Sequence, residues 1–136
     1  MIAQIALGVM IGLAQATEPT GTLTLACQGT KQWSDDAKPE ATSTGIILNF
    51  AAGTLEGFGS DVTFPMRITD VTETTISFTG DNWNDPKRTA SFSMFGTIDR
   101  VTGAVEATLA GTMVGPAKKT WSAQYVLKCK PTQRMF

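Results

Sequence analysis

Residues 120–130 read TWSAQYVLKCK, and apolar and polar side chains alternate along nearly the whole segment. Alternation with a period of two is typical of a β-strand with one face buried and the other in solvent. The segment therefore predicts an amphipathic strand. Its buried face would consist of Trp121, Ala123, Tyr125, Leu127 and Cys129.

Seven further segments show the same alternation, so the sequence predicts eight strands. The 21 threonines support this prediction, because threonine is β-branched and favours the half-buried surface of a sheet. Pro65 indicates an edge or a bulge in the fourth segment, since proline cannot donate a ladder hydrogen bond. The predicted strands cover, to within a residue or two, residues 21–28, 44–51, 53–58, 61–69, 72–80, 88–98, 103–113 and 120–130.

The connections between the predicted strands are mostly short, which favours antiparallel neighbours. Two are longer, residues 29–43 and 81–88, and a helical turn beginning at Ser34 is one interpretation of the first. Eight antiparallel strands close into an up-and-down barrel or stack as a β-sandwich. We predict an all-β, single-domain barrel, with the sandwich as the alternative. The barrel interior would contain Phe50, Phe64, Phe78 and Phe92.

The two cysteines help to choose between these folds. Cys27 lies in the first predicted strand and Cys129 in the last. A pair of cysteines in a small exported domain favours a disulfide. Such a bond needs Cα atoms within about 7 Å of each other, so the first strand must lie beside or across from the last. We predict this disulfide, with two unpaired buried thiols as the alternative.

The N-terminal segment predicts export. Residues 2–16 (IAQIALGVMIGLAQA) carry no charge and end in Ala-Gln-Ala, a pattern that precedes signal-peptidase cleavage. A membrane-spanning helix needs about 17–25 apolar residues, so this run is short for a span. We predict a signal peptide over residues 1–16, a barrel domain over residues 17–136 and a periplasmic or secreted location. A retained anchor and a buried helix are the alternatives. No basic residue precedes the run, so either the start amine supplies the charge or the true start lies upstream.

Composition excludes several classes of function. Eleven basic and twelve acidic residues nearly balance, so no overall field favours nucleic acid. The chain has no histidine, which removes the Ser-His-Asp and Cys-His relays and the usual zinc sites. The threonine-rich outward faces argue against a membrane-spanning barrel. We predict no enzymatic activity, no cofactor, no metal and no nucleic-acid partner.

Two acidic loops are candidates for a metal or catalytic site. Trp83 interrupts the oxygen-ligand spacing of a calcium loop, and a pair of glycosidase carboxylates needs a sugar-sized cleft. Polar turns in which side chains bond to the backbone explain both groups better. The residues concerned are Asp81, Asn82, Asn84 and Asp85 in one loop, and Asp35, Asp36 and Glu40 in the other.

Three tryptophans and a basic C-terminal segment are the candidate binding features. Trp33, Trp83 and Trp121 lie where predicted loops meet strands, and such rings either line a ligand pocket or close a barrel end. After Glu106 the chain has no acidic residue, so we predict a basic surface. It is either a binding surface or a solvated face that protects a sheet edge. This surface comprises Lys118, Lys119, Lys128, Lys130 and Arg134.

We therefore predict a non-catalytic exported protein that binds a small apolar ligand or an envelope component. A structural or interaction role for the basic C-terminal edge is the alternative.

Two C-terminal stretches resemble small exported proteins of rhizobial-type alphaproteobacteria. They are GTIDRVTGAVE (residues 96–106) and LKCKPTQRMF (residues 127–136). The resemblance lies mainly in the last forty residues; it implies a periplasmic location and no activity. The Gly-x-Trp motif of lipocalins and the tryptophan pattern of avidins are absent, so no ligand follows from a known barrel family.

Overall fold

The chain folds as a closed antiparallel β-barrel. The computed structural model describes residues 20–36, 38–59, 62–113 and 119–132, and these ranges contain eight strands and no helix. The strands are β1 (Thr22–Trp33), β2 (Glu40–Asn49), β3 (Thr54–Glu56), β4 (Met66–Val71), β5 (Thr75–Asp81), β6 (Ala90–Asp99), β7 (Ala104–Met113) and β8 (Thr120–Thr132).

The strands pair in sequence order, and β8 pairs back onto β1. The predicted up-and-down barrel is confirmed, and the sandwich alternative is wrong. The predicted signal peptide, residues 1–16, lies outside the described residues.

The first hairpin differs most from its predicted boundaries. β1 continues to Trp33 and β2 begins at Glu40, so residues 34–39 alone form the connection that was predicted to span residues 29–43. The Asp36 N–H donates to the Trp33 carbonyl (3.1 Å), which makes the reversal a tight turn and not a helical one. The bulge predicted around Pro65 occurs a little later, within β4, between Ile68 and Asp70.

The Cys27–Cys129 disulfide joins the first strand to the last. The two residues are direct cross-strand partners in the β1–β8 ladder, and their Cα atoms lie 4.0 Å apart. The predicted pairing is therefore confirmed. The bond links the two strands that complete the barrel, and it closes a chain segment with a sequence separation of 102.

Aromatic rings fill the middle of the barrel, and one of them comes from a loop. Gly57 follows β3 with φ of 122°, a conformation open to glycine, and directs the chain inward. Phe58 comes next and is only 3% exposed. Its ring centroid lies 5.5 Å from that of Phe78 and 5.4 Å from that of Tyr125. These three rings pack across the barrel axis.

The buried side chains among the described residues are hydrophobic, and the hydroxyl of Tyr125 is a polar atom buried with them. The four predicted interior phenylalanines all belong to this core. Phe64 and Phe78 are buried, while Phe50 and Phe92 are half-buried against the core.

The two ends of the barrel carry connections of different length. We call them the loop end and the turn end. The loop end carries the connections after β1, β3, β5 and β7, which run from Trp33 to Glu40, from Glu56 to Met66, from Asp81 to Ala90 and from Met113 to Thr120. The turn end carries the start of β1, the end of β8 and three shorter connections, residues 50–53, 72–74 and 100–103.

Candidate functional site

Packed aromatic rings close the barrel at the loop end. The Trp121 ring lies edge-on to the Phe92 ring, with the centroids 5.5 Å apart. Phe92 in turn stacks on Phe64 at 6.5 Å. Trp121 also lies over Gly111 of the neighbouring strand, where an added Cβ would come within 2.6 Å of the indole. Trp121 therefore serves as a packing group at a closed end.

Trp33 packs at the same end, beneath an inward-facing lysine. The Lys31 ammonium lies 5.3 Å from the Trp33 ring centroid and 5.9 Å from that of Tyr125, both cation–π distances. It also forms an ion pair with a Glu40 oxygen at 3.4 Å, and the Lys31 side chain is only 14% exposed. These contacts hold Trp33 in the wall of the barrel.

Trp83 lies on the outside of the β5–β6 loop, 57% exposed. The Arg88 guanidinium lies 5.8 Å from its ring centroid and donates to its carbonyl at 2.7 Å. The backbone N–H of Trp83 donates to Asp81 Oδ1 (3.0 Å), and the backbone N–H of Lys87 donates to Asp85 Oδ1 (2.9 Å). The loop is thus the polar turn that we predicted, with its carboxylates bonded to the backbone.

A surface depression does exist at the loop end, but the tryptophans do not form it. Its volume is about 320 Å³, and its lining residues are Thr63, Phe64, Pro65, Asp81, Asn82, Asn84 and Asp85. Of the two interpretations of the tryptophans, closure of a barrel end is the one that this geometry favours.

An open apolar cavity lies at the opposite, turn end. Its volume is about 340 Å³, at the lower end of the range for small-molecule pockets, about 300–1,000 Å³. Inward-facing side chains of β1, β2, β5, β6 and β8 form its wall together with Phe50 of the β2–β3 turn: Leu23, Leu25, Leu48, Ile76, Ile98 and Cys129. The rim consists of the β6–β7 turn, residues 99–103, together with Lys130 and Pro131. The sequence interpretation placed no ligand residue here.

Side-chain and backbone hydrogen bonds shape the β6–β7 turn at this rim. Asp99 Oδ1 accepts the N–H groups of Thr102 (3.0 Å) and Val101 (2.8 Å), and these bonds hold the pKa of the Asp99 carboxyl below its usual value. Gly103 ends the turn with φ of 80°, and an added Cβ would overlap the Cys129 carbonyl oxygen. The Cys129 N–H donates to the Gly103 carbonyl at 2.8 Å. The turn is therefore fixed against the strand that carries the disulfide.

Arg100 ties this turn to its neighbour at the same end. Its backbone N–H donates to the Thr74 carbonyl (2.7 Å), and its guanidinium donates to the Thr72 carbonyl. Both acceptors belong to the β4–β5 connection. Arg100 is thus held at the cavity rim by two adjacent turns.

The three described residues of the predicted basic surface lie in two separate places. Lys119 lies at the loop end, just before β8, whereas Lys128 and Lys130 lie towards the turn end of β8. Lys128 is nine positions after Lys119, or about 30 Å along the strand. β8 pairs with both β7 and β1, so Lys128 and Lys130 lie on a paired strand and not at an open sheet edge. Lys118 and Arg134 lie outside the described residues.

The turn end thus combines an apolar cavity with charged side chains at its rim. Within the described part of the chain, no group of three or more acidic or cysteine side chains is placed to hold a metal ion. The same ranges contain no helix of sufficient length and apolarity to cross a membrane. Comparison of the chain with protein-family models, with curated proteins and with solved structures gives no match.

Proposed function

We propose that the protein is an exported, non-catalytic binding protein that takes a small apolar ligand into the cavity at the turn end. The observation that carries this proposal is the cavity itself, about 340 Å³ with strand-borne apolar walls. Burial of apolar surface favours binding by roughly 25 cal/mol per Å². At about 30 Å³ for each non-hydrogen atom, the cavity suits a ligand on the order of ten such atoms.

Three observations support the exported location. The protein contains the Cys27–Cys129 disulfide, and disulfides persist in oxidising compartments. The uncharged run over residues 2–16 is typical of a signal peptide. The resemblance of residues 96–106 and 127–136 to small exported proteins implies the same location. We propose a periplasmic or secreted protein on this basis.

The alternative role, a structural or interaction protein acting through basic residues, has weaker support. Lys128 and Lys130 lie two residues apart on the outer face of β8, but Lys119 lies at the other end of the barrel. Two exposed lysines are typical of a solvated strand face, so no specific partner follows from them.

A blocking variant tests the proposal. Leu23 is half-buried in the cavity wall, and Leu23→Trp should fill the cavity. Met113→Trp is the matched control, because Met113 is exposed at the loop end. Calorimetry with octan-1-ol should show binding to the wild type and the control, with a negative heat-capacity change and little dependence on salt. Equal binding by the Leu23→Trp variant would contradict the proposed site.

A further inference from the structure

We infer that the cavity takes an aliphatic carboxylate of medium chain length, with its hydrocarbon chain inside and its carboxylate at the rim beside Arg100. This inference rests on the proposed function, because it names the class of ligand for the same cavity. Two observations support the inference: the wall of the cavity is apolar, and charged residues border its opening.

The charged residues lining the cavity are two cations and one anion: Arg100, Lys130 and Asp99. Asp99 is already engaged, because its Oδ1 accepts the N–H groups of Val101 and Thr102 inside the turn. No described carboxylate lies within ion-pair distance of the Arg100 or Lys130 cation, since Lys31–Glu40 is the one ion pair within the described ranges. With Asp99 ionised, the rim carries a net charge of +1 next to an apolar wall, and neither cation is ion-paired to a described carboxylate.

Arg100 is positioned before any ligand arrives. Its backbone N–H and its guanidinium each donate to a carbonyl of the β4–β5 connection, those of Thr74 and Thr72. A guanidinium has five N–H donors in a planar fork, which matches the two oxygens of a carboxylate. Among the described residues, the Arg100 guanidinium donates to one acceptor, the Thr72 carbonyl, so it keeps further N–H groups for a carboxylate. Prior positioning also lowers the entropy lost on binding.

The burial of the lining residues indicates which end of the ligand enters the cavity first. The floor residues Leu25, Leu48, Ile76 and Ile98 are buried, while Arg100 and Lys130 are exposed. A carboxylate left at the rim keeps part of its hydration, whereas one taken to the apolar floor would lose it at a cost of several kcal/mol. The chain therefore enters first, and a ligand such as octanoate, with ten non-hydrogen atoms, matches the cavity volume.

The test compares three eight-carbon probes that differ only in head group: octanoate, octan-1-ol and octylammonium. Calorimetry on the exported protein at neutral pH and low salt should give octanoate the highest affinity and octylammonium the lowest. Arg100→Gln should weaken octanoate binding by about 3- to 10-fold and leave octan-1-ol binding unchanged, because only the charge-assisted hydrogen bonds are removed. Lys130→Gln should weaken octanoate binding by a smaller factor.

Lys119→Gln is the matched control, since it removes one positive charge at the loop end, and it should alter neither affinity. If Arg100→Gln proves unstable, Arg100→Lys replaces it in the test. This variant keeps the cation, so it should retain part of the preference for octanoate. Equal affinity for octanoate and octan-1-ol, unaffected by Arg100→Gln, would overturn the carboxylate inference and leave the apolar site standing. Binding of none of the three probes would overturn the proposed function as well.

Discussion

The disulfide gives the most quantitative prediction about this fold. Replacing both cysteines, as Cys27→Ala with Cys129→Ala, removes the bond and leaves no free thiol. The ten-residue β1–β8 ladder retains its backbone hydrogen bonds, so the double variant should still close its barrel. The loss should therefore appear as reduced stability and not as a different fold.

The expected magnitude follows from the length of chain that the bond closes. With a sequence separation of 102, the chain-entropy model gives about 4.7 kcal/mol at 25 °C. Measured losses in small secreted domains are about 2–5 kcal/mol. We expect 3–5 kcal/mol here, at the upper part of that range.

Urea unfolding of the two proteins measures this difference. The double variant should have a lower midpoint and a larger m-value, because its unfolded chain is free to expand and exposes more surface. Wild-type protein treated with a reductant should match the double variant, which is the control. Thiol titration of unfolded, unreduced wild type should find no free thiol. A loss below about 1 kcal/mol with an unchanged m-value would refute the argument from chain closure.

Three further predictions concern single residues. Gly103→Ala should destabilise the protein by more than Gly53→Ala in urea unfolding. Both glycines have positive φ, which costs alanine about 1–2 kcal/mol. At Gly53 the added Cβ meets nothing within 4 Å, whereas at Gly103 it overlaps a carbonyl of β8. Leu109→Ala should cost about 2–5 kcal/mol, because Leu109 is fully buried, whereas exposed Phe95→Ala should stay within about 0.5 kcal/mol. Asp99 has a lowered pKa, so its ionised form stabilises the fold above the unfolded pKa, and this contribution is lost as the pH falls through the folded pKa. The stability difference between wild type and Asp99→Asn should therefore shrink in acid-unfolding experiments below about pH 5; a constant difference would contradict this assignment.

The strand pattern was predictable because the barrel has one apolar face per strand. Along β8, the residues from Ala123 to Cys129 alternate without error between the core and the solvent. The cysteines then determined which strands meet, since a disulfide tolerates only a short Cα separation. Local alternation and this one long-range constraint left a barrel or a sandwich, and the even number of strands with short connections favoured the barrel.

The second half of β1 was not predictable from alternation. Gly29 and Lys31 occupy inward-facing positions there, where an apolar side chain would be expected. At Gly29 the two strands approach so closely that a Cβ would overlap the Val126 carbonyl oxygen. Lys31 is accommodated by an ion pair and two aromatic rings. These compensations are tertiary, and a single-sequence pattern does not contain them.

The location of the cavity was missed for a similar reason. The sequence interpretation followed the tryptophans, which lie at the end that the longer connections cover. It did not anticipate Phe58, because glycines flank this residue and break the period of two. Phe58 fills the barrel centre, and the short turns leave the opposite end open. The difference in connection length between the two ends was the one available signal.

The most direct measurement is a nuclear magnetic resonance titration of the protein with octanoate. The two barrel ends carry separate reporters: the methyl groups of Leu25, Ile76 and Ile98 line the cavity, and the three tryptophan indole N–H groups lie at the loop end. Binding at the turn end should shift the methyl signals in a saturable way and leave the indole signals unchanged. Saturable shifts of the indole signals without methyl shifts, or no shifts at either end, would contradict a ligand site in this cavity.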